Sequence, residues 1–538
     1  MPALFAQVLP DGTDAAAPFV RLAGENVWQA LTPEIGVAVL ALAVLVLELA
    51  LPEKWRHFIT STVLIGLAAL AIGLIPALCN GTDGVRVLFG GMVLQTQGMF
   101  TDHAPSTTLL RVFFLAAAFF VVWLGDRFLR RHRLPRTEFF SIVLVVTAAL
   151  MLLVQSNHFV MLFVALETVT VGFYVLVGYH RESVASLEAG VKYLIMGGLS
   201  SALLLFGIVL LYGAAGNPAL NGGAVGGDAM NFIFLHHFIA ANTANPLVLA
   251  GAVLVICGVA FKIGMFPFQI WVPDVYQGAP TPTTAFLAVA SKAAGILTLL
   301  LLLNWPFAGL LGVDENTRGP LFGLLTVATG ATLIFGNLTA LGQTNVKRLM
   351  GLSGISHAGF LLLAVLAVLA ADDTGGSALA VSALMVYLVA YLAGAFATFG
   401  VMNEMAEGDD ATQTTTDYQL LLKRNPFLAA VLTCGLGSLA GIPPSLGFVA
   451  KFLVILAAFN AGLWGLSTVA LLCVGAGVYY YFAWLREAFQ RVWLSEERTR
   501  ELTAPIVVPV PSRIVLTALA VVILIGGGFV QGLVKAFW

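Results

Sequence analysis

Residues 259–305 read VAFKIGMFPFQIWVPDVYQGAPTPTTAFLAVASKAAGILTLLLLLNW. Two lysines, Lys262 and Lys292, lie in segments that are otherwise apolar enough for a lipid bilayer, and several prolines and Asp274 separate them. A charged side chain at the centre of a membrane helix costs roughly 2.5–3.5 kcal/mol even on scales derived from insertion experiments. Charges kept at such a cost indicate a functional polar path inside a membrane protein.

The composition excludes a soluble protein. Of the 538 residues, 59% are hydrophobic and only 10% are charged, and the mean hydropathy is +0.95. A soluble domain has about 25% charged residues, so this chain has too few to cover a surface that faces water. The composition therefore predicts an all-α polytopic membrane protein whose surroundings are the lipid bilayer.

The chain shows no signature of a cofactor or nucleic-acid site. Cys79, Cys257, Cys434 and Cys473 are far apart, with no metal-ligand spacing and no disulfide framework. No glycine-rich nucleotide loop follows a strand pattern, and the net charge of −2 does not suggest nucleic acid. We therefore expect no cofactor in this chain and no nucleic-acid partner. No basic residue precedes Arg21, unlike in a cleavable signal peptide, so we expect the N-terminal segment to remain in the mature protein.

About fourteen apolar segments are long enough to span a bilayer. They lie at residues 33–52, 57–79, 105–125, 138–155, 157–179, 185–213, 245–267, 279–304, 319–342, 349–371, 376–402, 426–462, 464–490 and 513–536. The 426–462 segment is too long for one straight helix and contains AGIPPSLGF, so we predict one span that is broken in the middle.

The basic residues divide consistently between the two sides of these spans. Arg21, Arg86, Arg318 and, at the end of the last span, Lys535 fall on one side, and the other basic residues in loops and at span ends fall on the opposite side. By the positive-inside rule, the second side is cytoplasmic. An even number of spans then places both termini in the periplasm, and we expect the bacterial inner membrane as the location.

Two spans contain prolines that interrupt a helix inside the bilayer. Pro267 follows Lys262 in span 7, and Pro443 and Pro444 precede Lys451 in span 12. Proline lacks an N–H group and crowds the carbonyl four residues earlier, so these prolines free backbone carbonyls beside the lysines. The freed carbonyls belong to Ile263, Leu439 and Ala440.

Paired broken helices in two halves of a chain predict inverted repeats. We assign spans 4–8 to one five-helix repeat and spans 9–13 to the other, with spans 7 and 12 broken at the prolines. The predicted units are residues 1–137 with spans 1–3, 138–305 with the first repeat, 306–491 with the second, and 492–538 with a loop and the last span.

A set of ionisable residues inside the spans forms the candidate proton-relay site. They are Glu167, Lys192, Lys262, Lys292, His357 and Lys451. Ionisable residues at this depth are functional candidates, and histidine suits proton transfer near neutral pH. The alternatives are snorkelling of a lysine to an interface, a structural ion pair, and a packing role for His357. We expect Glu167 to pair with Lys192, because an unpaired carboxylate at that depth would stay protonated.

Other polar residues near the span ends are expected to face water or lipid headgroups. These are Glu34, Glu48, Arg111, His158, His180, His236 and His237. Tyr387 and Tyr391 lie one turn apart on span 11, where they would either line a polar path or pack against helices. Because no substrate-sized set of hydrogen-bonding groups is visible, the carried species is predicted to be H⁺.

Several long motifs resemble the antiporter-like subunits of respiratory complex I, the proton-pumping NADH:quinone oxidoreductase. The segment FKIGMFPFQIWVPDVYQGAPTPTTAFLAVASKAAG resembles the signature of that family, and AGVKYLIMGGLSSALLLFGIVLLYG, SLAGIPPSLGFVAKF and LTPEIGVAVLAL resemble its subunit N branch. Lysine rather than glutamate in span 12 favours that branch over M, and the end of the chain after span 14 favours it over L. Gln269 departs from the pattern, since the family usually has histidine there.

The resemblance implies roles for the site residues and for other proteins. It assigns a proton relay to Glu167, Lys192, Lys262, Lys292 and Lys451. It implies that NADH, FMN, iron–sulfur clusters and quinone are used by other subunits, and that subunits M, K, J and A are neighbours. We therefore expect a membrane-arm subunit of a proton-translocating enzyme. The alternatives are a subunit of a multi-subunit cation/proton antiporter and a passive scaffold in a membrane assembly.

Overall fold

The structure, a computed structural model, describes residues 31–56, 58–76, 85–90, 98–220, 228–312, 319–371, 374–406, 408, 410–489 and 505–529. The expectation for the N-terminal segment falls on residues outside these ranges. The elements in chain order are α1 Thr32–Ala50, α2 Phe58–Gly73, β1 Val85–Gly90, β2 Gly98–His103, α3 Ala104–Arg131, α4 Thr137–Leu153, α5 Phe159–Val177, α6 Val184–Ala215, α7 Phe232–Ala241, α8 Pro246–Ile263, α9 Val272–Gly278, α10 Thr281–Phe286, α11 Lys292–Asn304, α12 Pro320–Ala340, α13 Val346–Leu369, α14 Thr374–Met405, α15 Leu421–Arg424, α16 Pro426–Ala440, α17 Leu446–Asn460, α18 Trp464–Phe489 and α19 Val510–Gly526.

The predicted helical membrane fold is confirmed. Ten helical segments in the described part of the chain are long and apolar enough to cross a membrane. The other predicted spans correspond to the shorter apolar helices α2, α4 and α19 and to the pair α16–α17. Large apolar side chains such as Leu49 on α1 and Ile195 on α6 are exposed, as expected for helix faces that contact lipid.

Two features were not predicted from the sequence. Strands β1 and β2 form an antiparallel hairpin between α2 and α3, in which Val85 pairs with His103. The short helix α7 follows α6, and its N-cap Asn231 accepts hydrogen bonds from the backbone N–H groups of Ile233 and Phe234. Both features lie in connections between predicted spans.

Both predicted helix breaks are present, and they share one local design. Gly264 ends α8 with φ of 74°, and Gly441 ends α16 with φ of 84°. Glycine adopts this left-handed conformation readily because it has no Cβ. Each glycine lies just before the prolines that the sequence indicated, and the chain then enters a second helix, α9 or α17.

The most enclosed part of the bundle lies around α13, which packs against α9, α12, α14 and α17. The segment α10–α11 is equally enclosed, and π-helical residues Leu287–Ser291 join its two parts. Because Lys292 is the first residue after this π-helical turn, the distortion directly precedes a candidate site residue. We call one end of the bundle the basic face. It carries Arg348, Lys423, Arg424 and Arg486, whereas Lys347, next to Arg348, is buried.

Candidate functional site

Lys262, near the end of α8, is buried against α5 and α6. Its Nζ donates a 2.6 Å hydrogen bond to Thr170 Oγ1 and a 3.4 Å hydrogen bond to the Tyr193 hydroxyl. Nζ also lies 5.8 Å from the centre of the Tyr193 ring. Because Lys262 is only 5% exposed, it does not snorkel to an interface. The ammonium is held by hydroxyl oxygens and a ring face, and we call these three residues the first cluster.

Lys292 reaches from α11 to the backbone of α13. Its Nζ donates a hydrogen bond to the carbonyl oxygen of Gly354 and lies 5.8 Å from the centre of the Tyr391 ring. A Cβ atom added to Gly354 would lie only 2.9 Å from Nζ and 3.3 Å from the Tyr391 hydroxyl. The absence of a side chain at position 354 therefore gives the ammonium access to the α13 carbonyl.

Lys451 on α17 turns back to the broken end of its own span. Its Nζ donates a 3.0 Å hydrogen bond to the carbonyl oxygen of Ala440, the last residue of α16. This is one of the carbonyls that the proline pair was predicted to free. Nζ also lies 5.1 Å from the centre of the Phe360 ring. The helix break thus supplies an acceptor for a buried ammonium inside the apolar bundle.

His357 on α13 is flanked by tyrosines. Its Nδ1 lies 2.7 Å from the Tyr387 hydroxyl, and its Nε2 lies 3.3 Å from the Tyr481 hydroxyl. The ring centre is 4.7 Å from that of Tyr391, the ring that also faces Lys292. Tyr387 and Tyr391 therefore line a polar interior as well as pack between helices.

A small cavity lies between His357 and Lys451. It measures about 10 Å³ and is also lined by Tyr387, Tyr391 and Ser438. A single buried water needs a volume of about this size and polar partners. Ser438 Oγ is buried and has no hydrogen-bond partner among the described residues, so the cavity offers an unused polar group. We call Lys292, His357 and Lys451 the second cluster.

A row of aromatic rings extends from the first cluster to α13. The Tyr193 ring packs 5.0 Å from the Trp271 ring, which lies 6.3 Å from the Tyr276 ring. Tyr276 in turn packs against α13 at Gly351 and Gly354. No hydrogen bond between described residues joins Lys262 directly to the second cluster. The candidate relay therefore consists of two polar clusters that are not joined by a direct hydrogen bond between described residues.

The predicted pair of Glu167 and Lys192 is wrong. Glu167 Oε1 accepts a 2.5 Å hydrogen bond from the Ser201 hydroxyl on α6. The antiparallel helices α5 and α6 are staggered, because Gly178 faces Gly190, and eleven residues further along each helix Glu167 faces Ser201. When residues are counted from the connecting loop, Glu167 and Lys192 have similar predicted depths. In the structure, however, the first turns of α6 extend beyond the end of α5, so the two side chains lie at different depths.

Lys192 belongs instead to a charged cluster near the basic face. Its Nζ lies 2.7 Å from Glu188 Oε1 and 2.8 Å from Asp274 Oδ2, and Arg348 Nη1 lies 2.7 Å from Asp274 Oδ1. The Lys192 side chain is 43% exposed, so it forms a partly exposed ion pair apart from the buried lysines. Burial by itself would raise the pKa of Asp274, but the hydrogen bonds and charges of Lys192 and Arg348 hold that pKa below its usual value.

Glu34, Arg111 and His158 were expected to face water or lipid headgroups, but all three are buried. Arg111 Nε donates a 2.7 Å hydrogen bond to Glu34 Oε1, and Gln155 Nε2 donates another of 2.7 Å to the same oxygen. Arg111 Nη2 donates to Gln155 Oε1, and both charged residues are buried. His158 is also buried, with its Nε2 2.8 Å from Asp228 Oδ2. Hydropathy gives no information on such pairs, because the partners are far apart in the chain.

Several hydroxyl groups in the site were missed by the sequence analysis. They belong to Thr170, Tyr193, Ser201 and Tyr481. Their signal in the sequence is weak, since a neutral hydroxyl in an apolar helix is common and carries no charge. Gln269, the departure from the family pattern, is buried, and its Oε1 has no hydrogen-bond partner among the described residues.

Comparisons with known proteins agree with this arrangement. Residues 156–476 match the family model described as NADH:quinone oxidoreductase/Mrp antiporter. The chain is 51% identical over 472 residues to NADH-quinone oxidoreductase subunit N 1 of Opitutus terrae, covering 87% of this chain and 88% of that protein. A chain of respiratory complex I from Thermus thermophilus superposes with a TM-score of 0.72 at 26% identity, covering 94% of this chain and 99% of the other. A chain of the Mrp complex from Dietzia sp. shares the fold, with a TM-score of 0.75 at 21% identity. The match covers 94% of this chain and 96% of the other.

Proposed function

Since the chain belongs to the NADH:quinone oxidoreductase/Mrp antiporter family, and within it to the subunit N proteins of NADH-quinone oxidoreductase, we propose that it translocates protons as a membrane-arm subunit of that enzyme. Electron transfer from NADH to quinone takes place in other subunits and drives this movement of protons. The relay in this chain consists of Glu167 and the first cluster followed by the second cluster.

One observation carries the proposal. Lys262, Lys292 and Lys451 are all buried, and each donates to a neutral oxygen atom rather than to a carboxylate among the described residues. When an ammonium held in this way loses its proton, a neutral amine remains beside neutral oxygen atoms. No buried partner charge is then left unpaired. Glu167 lies one turn before Thr170 on α5, so a carboxylate is placed at the start of the first cluster.

Other parts of the proposal concern the surroundings of the chain. We place NADH, FMN, iron–sulfur clusters and quinone in other subunits, and subunits M, K, J and A beside this chain. The membrane is the bacterial inner membrane, the basic face is cytoplasmic, and both termini are periplasmic. The repeats at 138–305 and 306–491 are inverted relative to each other. Their similar helix breaks support this symmetry.

The test uses the complete enzyme in proteoliposomes, with NADH-driven proton uptake and NADH oxidation measured together. Lys292→Ala should reduce proton translocation severalfold in an assembled complex, because the ammonium is removed while the surrounding helices stay packed. Lys423→Ala, which removes an exposed lysine at the basic face, is the matched control and should translocate normally. Full translocation by Lys292→Ala would contradict the relay and support a scaffold. Copurification of flavin and iron–sulfur subunits separates this enzyme from a cation/proton antiporter.

A further inference from the structure

Helix α18 carries polar side chains that the lysine relay does not use. The Tyr481 hydroxyl lies 3.3 Å from His357 Nε2. One turn nearer to the basic face, Trp484 is completely buried, and its Nε1 has no hydrogen-bond partner among the described residues. A buried N–H group is nearly always paired with protein or with water, so this donor points to a water beside α18.

Adjacent to Tyr481, a second set of contacts extends the polar surface to α12 and α13. The Tyr480 hydroxyl donates a 3.4 Å hydrogen bond to Asn337 Oδ1. Asn337 Nδ2 donates a 2.7 Å hydrogen bond to Ser356 Oγ, next to His357 in the chain. Asn337 and Ser356 are buried. Polar groups from three helices therefore meet beside His357.

The same row continues to the basic face itself. The Trp484 ring packs 5.1 Å from the ring of Tyr418, whose hydroxyl donates a 3.3 Å hydrogen bond to Gln413 Oε1. Thr416 and Asp417, in the same loop, are exposed. Side chains that carry polar groups thus lie between this exposed loop and His357, halfway along the bundle, and Lys262 is not among them.

We propose that this face of α18, which carries Tyr480, Tyr481 and Trp484, is a second proton inlet from the basic face to His357. The inference rests on the proposed function and adds to it a separate supply for the second cluster. Such a supply delivers protons to His357 through Tyr481, without passage through Lys262.

The transfer step at the inner end involves only a phenol and an imidazole. With Nδ1–H of His357 donating to Tyr387, Nε2 accepts a hydrogen bond from the Tyr481 hydroxyl. A proton arriving from water joins the Tyr481 hydroxyl oxygen while the original hydroxyl proton moves to His357 Nε2. Tyrosine ends neutral, and the imidazole carries the added positive charge.

The chain offers a matched control for this inlet. Tyr481→Phe removes one hydroxyl and keeps the ring that packs against Tyr480. Tyr479→Phe makes the same chemical change on the same helix at a side chain that is 65% exposed. In the complete enzyme in proteoliposomes, Tyr481→Phe should lose proton translocation severalfold, whereas Tyr479→Phe should equal the unmodified protein.

A pH profile distinguishes a proton inlet from a packing role. When the pH on the basic face is lowered, the loss in Tyr481→Phe should shrink, because a higher proton concentration compensates for slow delivery. The proposed inlet is overturned if Tyr481→Phe translocates protons like Tyr479→Phe. It is also overturned if the loss of translocation in Tyr481→Phe does not change with pH. Neither result affects the proposed function, which fails separately if Lys292→Ala translocates normally.

Discussion

At the scale of single residues, Gly354 determines how closely Lys292 approaches α13. A methyl group at this position would lie 2.9 Å from Lys292 Nζ, which is the mobile end of a long side chain. We expect Gly354→Ala to displace the ammonium from the Gly354 carbonyl and to lower proton translocation severalfold, while the complex still assembles. NADH oxidation coupled to proton uptake in proteoliposomes measures the effect.

Gly437→Ala is the control for this substitution. Gly437 lies inside α16, and a Cβ atom added there has no neighbour within 4 Å. Because alanine favours a helix over glycine by about 1 kcal/mol, this variant should be at least as stable as the unmodified protein and should translocate normally. Equal activity of the two variants would show that the position of the Lys292 ammonium does not limit proton transfer.

Lys262 tests whether a permanent charge can replace a titratable one. Arginine stays protonated in proteins and has a larger, planar head group, so it cannot release a proton to the Tyr193 hydroxyl or to water. We expect Lys262→Arg and Lys262→Ala to lose translocation to a similar extent, in complexes with a normal content of subunits. Translocation by Lys262→Arg close to the normal rate would mean that this residue supplies only charge.

The sequence predicts which ionic residues are buried better than it predicts their partners. A lysine in an apolar run is conspicuous, so Lys262, Lys292 and Lys451 could be identified from hydropathy alone. The hydrogen-bond partners of these lysines are the hydroxyl groups of Thr170 and Tyr193 and two backbone carbonyls. Such neutral groups are common in apolar helices and give no distinctive signal in the sequence. Only the rotation and spacing of the helices decide which of these groups meets the ammonium.

At the scale of elements, the positions of helix breaks could also be predicted better than the contacts between helices. The breaks after α8 and α16 could be predicted, because proline changes the backbone wherever it occurs. The stagger between α5 and α6 could not, since it follows from the contact of Gly178 with Gly190 across two helices. Because of this offset, Glu167 lies beside Ser201 rather than Lys192, and Lys192 lies near the basic face.

The short helix α9 is fixed by Asp274, which joins α6 through Lys192 and α13 through Arg348. The pKa of Asp274 is lowered in the folded state, so its ionised form stabilises the fold above its unfolded pKa, about 3.9. This contribution is lost as the pH falls through the lower, folded pKa. Because the side chain is 36% exposed, solvent screening limits the effect to about 1 kcal/mol or less.

We therefore expect Asp274→Asn to lower the thermal stability of the solubilised complex slightly near neutral pH. The difference from the unmodified protein should persist down to about pH 4 and decrease only at lower pH, where the Asp274 carboxylate of the unmodified protein becomes protonated. Thermal unfolding curves at a series of pH values measure the difference. A difference that grows on acidification would contradict the role of the ionised carboxylate.

At the scale of the whole molecule, three side chains join α1 and α3 to the end of α4. Glu34 on α1, Arg111 on α3 and Gln155 just after α4 form one buried hydrogen-bonded network. The two polar clusters of the relay lie elsewhere in the bundle, around α8 and α13. We therefore expect the network to have a structural role that is separate from proton transfer.

This separation predicts how the network responds to substitution. Removing one partner of a buried ion pair leaves an uncompensated charge and costs about 3–5 kcal/mol, whereas apolar replacement of both partners is often neutral or stabilising. Glu34→Leu alone should thus greatly reduce the amount of assembled complex and its thermal midpoint, because Arg111 stays charged. The double variant Glu34→Leu with Arg111→Met should recover most of both. Complex that does assemble should translocate the normal number of protons per NADH. A double variant that is less stable than either single variant, or a changed proton ratio in any of them, would show that this pair does more than hold the helices together.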